Sequence, residues 1–146
     1  LKHHARYGFG DLAGHRVCLA VPTTYMNEAG LAVGPLARFF KVAPEAVLLV
    51  HDDLDLPLGR LRVRPGGGAG GHNGVASVIR SLGTEAVPRL RVGIGRPPAS
   101  WDPADYVLAR FADDERETVA VGVGTAAEAV VAVVRDGVTA AMNAYN

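Results

Sequence analysis

The chain has 146 residues, 49% hydrophobic and 21% charged, with a formal net charge of zero. That length supports one compact domain with its own core, and the neutral balance gives no overall-charge signal for nucleic acid or membrane. Cys18 is the only cysteine, which excludes a disulfide framework and suits a reducing, cytoplasmic compartment.

In chain order, the basic start at residues 1–7 has no apolar stretch of the signal-peptide kind and reads as a mobile terminus. Residues 16–21 (RVCLAV), closed by Pro22, read as a strand, with His15 in the hairpin turn before it. Asn27 is placed to cap a helix whose apolar face is Leu36, Phe39 and Phe40. Pro35 predicts that this helix starts late or kinks. Residues 47–50 (VLLV) form a continuous apolar run, expected of a strand covered on both faces. Residues 60–64 (RLRVR) alternate like a half-exposed strand. Residues 74–82 read as a helix stopped by Gly83, and 89–94 (RLRVGI) as another strand. Residues 113–135 predict one long helix with acids in its first turn. The apolar stretch 119–134 is too short to span a bilayer and is interrupted by Glu128, so it reads as buried helix. Strands alternating with helices predict a single α/β domain, its twisted mixed, mostly parallel sheet flanked by helices.

Charge is segregated along the chain. Residues 60–96 carry seven Arg against Glu85 alone, whereas 101–136 carry eight acids against three Arg. A basic middle suits an anionic ligand, although solvated surface charge gives the same pattern. Three loops, each after a strand, bear chemistry. The glycine cluster GGGAGGHNG at 66–74 lets backbone approach a ligand closely and sits where helix N–H groups face an anion. It is neither a P-loop nor a dinucleotide fingerprint, and His72 with Asn73 sets it apart from a mere turn. The second loop is His51-Asp52-Asp53-Leu54-Asp55, at the end of the VLLV strand, where open α/β sheets bind ligands. Its carboxylates suit an oriented histidine, a proton relay or a metal, though regular spacing for a metal's third and fourth ligands is missing. Pro22-Thr23-Thr24-Tyr25-Met26-Asn27 is the third. None of the three carries a Ser, Cys or Lys nucleophile with a base, so the chemistry expected is water-mediated hydrolysis or binding.

The ordered strings PTTYMNEAG, HDDLDLPLGRLRVRPGGGAGGHNG and RLRVGIGRP resemble the bacterial peptidyl-tRNA hydrolase family from about Tyr7 onward. The resemblance implies a single domain of the peptidyl-tRNA hydrolase fold. It implies hydrolysis of the ester between a peptide and tRNA, without metal or organic cofactor, by a cytoplasmic monomer with tRNA as partner and no membrane association. By the same resemblance, Asp52 is the carboxylate that orients a catalytic histidine. Tyr25, Met26, Asn27, Gly70, Gly71, His72 and Asn73 bind substrate. Arg64 and Arg91 grip a tRNA phosphate, positioning it without reading sequence. Family members begin with roughly forty further residues, a domain-scale figure, that supply a first strand within the sheet and an Arg-His-Asn motif holding the general base. These 146 residues are therefore expected to be a shortened form, inactive alone, with open strand edges where the strand would pair. A non-catalytic RNA-binding relative and an unrelated metal hydrolase built on His51 and Asp52–Asp55 are the alternatives.

Overall fold

In the computed structural model, which describes residues 2–146, the chain opens as an antiparallel hairpin of β1 (Ala5–Leu12) and β2 (His15–Pro22). Leu1, the first residue of the basic start, lies outside the described residues. The turn residues Ala13 and Gly14 have φ of 50° and 81°, the left-handed pair that matches the twist of a two-residue hairpin. His15 is already in β2, opposite Leu12. Of the described part of the start, Lys2–His4 form a 3-10 turn and Ala5–Tyr7 open β1, whose alternation is diluted in sequence by Gly8, Gly10 and Asp11, and His3 packs its ring 4.9 Å from Phe39.

A 3-10 turn at Met26–Glu28 leads into α1 (Gly30–Phe39). Asn27 lies inside that turn and caps nothing; the N-cap is Ala29, without a side-chain cap bond. Nor does the helix wait for Pro35, which lies inside it. Proline there removes the N–H that would bond the Leu31 carbonyl, and Leu31 is on the exposed side. Leu36 is buried, but Phe39 is exposed, joining Phe40, Tyr7 and Phe9 in an aromatic group between helix and hairpin. The other face of α1 packs on α2 (Asn73–Leu82). Gly34 can carry no Cβ there because the Ser81 side chain fills its place, and the Gly30 N–H donates to Ser77 Oγ at 2.8 Å.

Strands β3 (Leu49–Asp53), β5 (Arg89–Gly93) and β4 (Leu61–Arg64) form a second sheet in the order β3-β5-β4. It is mixed, as expected, but not mostly parallel. Among the described residues β3–β5 is parallel, whereas β4–β5 and the hairpin are antiparallel. The link at 54–60 is too short for a crossover that would keep β3 and β4 parallel. β3 also starts two residues later than the VLLV run and takes in His51, Asp52 and Asp53. Val50 is 54% exposed, so this strand is not covered on both faces.

The core is Leu61, Val63 and Leu90 against Ala126, Ala129 and Ala132 of α4 (Arg116–Asp136) and Ala141 of α5 (Val138–Tyr145). Alternation in β4 and β5 puts these apolar residues on one face. A stripe of small residues lets α4 lie close to it. That stripe is narrow, so α4 is not a wholly buried helix: Val121 and Val123 are more than 60% exposed. α2 stops at Gly83, whose φ of 76° is left-handed, as its sequence implies. A short helix, α3 (Pro103–Leu108), has Asp102 as N-cap, accepting from the Ala104 N–H at 2.9 Å; neither α3 nor α5 stands out in the sequence.

The outer edge of β4 is paired by a side chain. Asn146 Oδ1 accepts from the Val63 N–H at 2.6 Å, and its Nδ2 donates to the Val63 carbonyl at 2.9 Å. The amide supplies the bonds a neighbouring strand would make. Asn146→Ala should lower stability by about 1–2 kcal/mol, the sum of two ordinary hydrogen bonds. A urea midpoint unchanged from the parent would show that water replaces the amide at no loss.

Candidate active site

The β4–β5 register sets the polar face of the sheet. Arg62 lies opposite Arg91 and Arg64 opposite Arg89, while His51 of β3 pairs with Arg91. Directly opposed residues project to the same side, so the four arginines share the face turned away from α4 and α5. Their roles diverge. Arg91 Nε donates to Asp53 Oδ2 at 2.5 Å, and Arg96 pairs with Asp55. Arg64 lines the cleft, half-buried.

Arg89, which the sequence did not single out, holds the wall of the site together. It is 3% exposed and spends its guanidinium on main-chain carbonyls: Nη1 on Gly68 at 2.8 Å, and Nη2 on Gly67 at 2.9 Å, Val87 at 3.2 Å and Glu85 at 3.3 Å. Gly67 N–H returns a bond to the Glu85 carbonyl at 3.0 Å. A Cβ on Gly66 would lie 2.6 Å from that carbonyl oxygen. The glycine cluster is thus strapped to residues 85–87 and leads rigidly into α2. Nothing in the sequence marks it out, because alternation puts Arg89 on the same polar face as the other three arginines.

His72 closes the loop and starts the helix. Its Nδ1 accepts from the Val75 N–H at 3.2 Å, so Nε2 carries the ring hydrogen and donates it to Asp52 Oδ1 at 2.9 Å. One helix N–H expected to face an anion is therefore taken by His72. The His72 hydrogen bond, ahead of the opposing effect of burial, holds the Asp52 carboxyl below the usual carboxylate range. Beside this pair, His51 donates from Nδ1 to the Asp52 carbonyl at 2.8 Å, and its ring stands 4.6 Å from that of His72. Strand alternation would send His51 and Asp52 to opposite faces, yet both meet His72. Burial pushes the His51 imidazole below its ordinary pKa, aided by His72 and opposed by the Asp52 carbonyl bond and the nearby aspartates.

These groups lie along an open cleft of about 1390 Å³. Of the residues expected to serve the site, it takes in Met26, Asp52, Arg64, Gly70, Gly71, His72, Asn73 and Arg91. Asn27 lines a separate shallow groove with Leu31, Ser77 and Arg80, and Tyr25 is 81% exposed in neither. The division falls at Met26, whose sulfur fills the space over Gly74; the next residue in the turn faces the other way. The far wall is built by α3 and its flanks. Trp101 and Tyr106 stack edge to face at 5.9 Å, and the Tyr106 hydroxyl donates to the Ile94 carbonyl at 2.9 Å.

A carboxylate–imidazole pair at the end of a mixed sheet, beside an arginine-lined cleft, has the chemistry of a hydrolytic or binding site for an anionic ligand in an α/β domain. The family model for peptidyl-tRNA hydrolase matches residues 1–146. Peptidyl-tRNA hydrolase of Chloroflexus aurantiacus is 51% identical over 138 residues, covering 94% of this chain and 73% of that protein. The Moorella thermoacetica protein of the same name is 48% identical over 146 residues, covering 99% and 77%. The crystal structure of peptidyl-tRNA hydrolase from Acinetobacter baumannii matches with a TM-score of 0.91 at 37% identity, over 99% of this chain and 74% of that one. The chain belongs to the peptidyl-tRNA hydrolase family. An unrelated metal hydrolase built on His51 and Asp52–Asp55 falls with that membership. The carboxylates are also divided among separate partners, Asp52 on His72, Asp53 on Arg91 and Asp55 on Arg96.

Proposed function

We propose that the cleft hydrolyses the ester joining a peptide to the terminal adenosine of tRNA, freeing the tRNA for reuse. The observation that carries this reading is the Asp52–His72 pair in a cleft shared with Arg64 and Arg91, in a chain about half identical to proteins named for that reaction. Water attacks the ester carbonyl and needs a general base with a pKa near working pH. His72 is unsuited to that part, because Nδ1 already accepts from Val75 and Nε2 already donates to Asp52. Asp52 uses Oδ1 on His72, which leaves Oδ2 to orient a second imidazole. On this reading the base comes from the Arg-His-Asn segment of the family, which is not among these 146 residues. Met26, Gly70, Gly71, His72 and Asn73 face the substrate in the cleft. Tyr25 and Asn27 lie outside the cleft, beyond Met26, and meet the peptide only where it extends past that side chain.

Turnover of peptidyl-tRNA by this chain, compared with a version extended to the length of the relatives, tests the assignment. The extended version should be faster by at least about 10²-fold, the smaller measure of a lost general base. Equal rates would put the base inside this sequence. Binding without turnover by the extended version would leave only an RNA-binding relative.

Arg64 and Arg91 serve the same substrate as a phosphate grip. Arg64→Ala and Arg91→Ala should each weaken tRNA binding and reduce the salt dependence of affinity by about one counterion; parental slopes in both variants would refute the grip. The same reading makes the protein a cytoplasmic monomer without metal or organic cofactor or membrane association. A lone cysteine suits that compartment, and water is the only co-reactant the hydrolysis requires.

A further inference from the structure

We propose that His51 is a positioning residue, which fixes the Asp52 backbone and the His72 ring against each other so that the carboxylate–imidazole pair is set before substrate arrives. Three observations converge on it. The His51 Nδ1–H donates to the Asp52 carbonyl at 2.8 Å, tying the ring to the residue whose carboxylate takes His72. The two rings meet at 4.6 Å and 63°, an edge-to-face contact that limits rotation of His72 about its side-chain bonds. Finally, Nε2 of His51 is buried without a hydrogen-bond partner among the described residues. A buried acceptor left bare is destabilising, and each such group calls for an explanation in the role of its residue. Here the property is a planar ring that also donates to a main-chain oxygen. Phenylalanine has the ring without the donor, and asparagine has a donor without the ring.

The contacts link β3 to the start of α2 directly, beside the strap that Arg89 of β5 makes to the glycine loop. β3 contributes His51 and Asp52, and α2 begins at the His72 cap. The chain of bonds runs from the His51 Nδ1–H to the Asp52 carbonyl, from the His72 Nε2–H to Asp52 Oδ1, and from the Val75 N–H to His72 Nδ1. Without His51, His72 is held by its two hydrogen bonds alone, and either can be exchanged for water in an open cleft.

The inference rests on the Asp52–His72 geometry, and its principal test needs no turnover. In the histidine-15N-labelled chain, His72 should show a single tautomer, protonated at Nε2, with a slowly exchanging ring hydrogen. His51→Phe and His51→Asn each keep one of the two contacts. Each should speed that exchange by about tenfold, the upper response to losing one ordinary hydrogen bond or ring contact. His51→Ala, where it folds by circular dichroism, should give mixed tautomers and lower amide protection at Val75. Parental His72 signals in both folded His51→Phe and His51→Asn would overturn the proposal. In the version of relatives' length, the same variants should lower kcat while KM holds. Lost turnover with an unaltered His72 signal would also overturn it. A failure of that version to hydrolyse peptidyl-tRNA at all would tell against the proposed function instead, since the ring signals report independently.

Discussion

Asp52→Asn, in a version of the protein that turns over peptidyl-tRNA, should lower kcat by about 10²-fold to 10⁴-fold, the range general-base assistance supplies. The asparagine keeps the size of the side chain and still accepts from His72 through its oxygen. It loses the negative charge, and its nitrogen replaces the acceptor offered to a second imidazole. KM should change little, because phosphate contacts at Arg64 and Arg91 are untouched. The substitution also carries a pH signature. The folded-state Asp52 carboxyl sits below its usual range, chiefly through the His72 hydrogen bond. The stability this contributes is present above the unfolded carboxylate pKa and is lost as pH falls through the folded value. His51 is likewise depressed, mainly by burial, so its stabilising neutral form is favoured above the ordinary imidazole pKa and the folded state weakens as acid forces a proton onto it. Asp52→Asn should therefore flatten the acid limb at carboxylate pH and leave the imidazole part in place. An acid limb identical to the parent's, read from urea midpoints across pH, would show that the pair contributes no stability; a kcat within a few fold of the parent would remove Asp52 from the chemistry.

What the sequence made legible follows a physical pattern. The RLRVR and RLRVG runs alternate so plainly that both the apolar face and the arginine face can be read before any coordinates. The glycine cluster declares itself by composition, and the stop at Gly83 by residue type. Less visible were features decided by tertiary partners. Nothing local says that His72 caps α2, because that role appears only when Asp52 arrives from β3 to take the other ring nitrogen. Asn27 has the chemistry of a helix cap, but packing on α2 draws residues 26–28 into a separate 3-10 turn, and the helix starts beyond it. β1 was hidden by its glycines, since a strand poor in side chains has little alternation to show. Arg89 looked like one more surface cation in a basic stretch, whereas its burial depends on a loop more than twenty residues earlier in the chain.

Arg89→Met should destabilise the fold by about 1–3 kcal/mol, the scale for leaving hydrogen-bond acceptors without their donor. Methionine fills much of the same volume, so the loss isolates the guanidinium. Left behind are the carbonyls of Gly67, Gly68 and Val87 without their guanidinium donor, while the Glu85 carbonyl keeps the Gly67 N–H. Arg89→Lys should recover only part of the loss, because one ammonium cannot span carbonyls from both the glycine loop and the 85–87 segment as a planar fork does. The effect should also be local in a way a simple core defect is not. The Gly67 N–H, bonded to Glu85 across the strap, should exchange much faster in both variants, while amides at the β4–β5 ladder in Arg89→Lys remain protected. Arg91→Ala serves as the contrast on the same strand, since its partner Asp53 is reached from a half-exposed position. Its loss should stay near 1 kcal/mol, as for a partly solvated pair, with tRNA affinity taking the larger share. Should Arg89→Met fall within 0.5 kcal/mol of the parent, a change typical of surface sites, the glycine loop would have to be held by its own backbone, and the rigidity of the His72 cap would need another source.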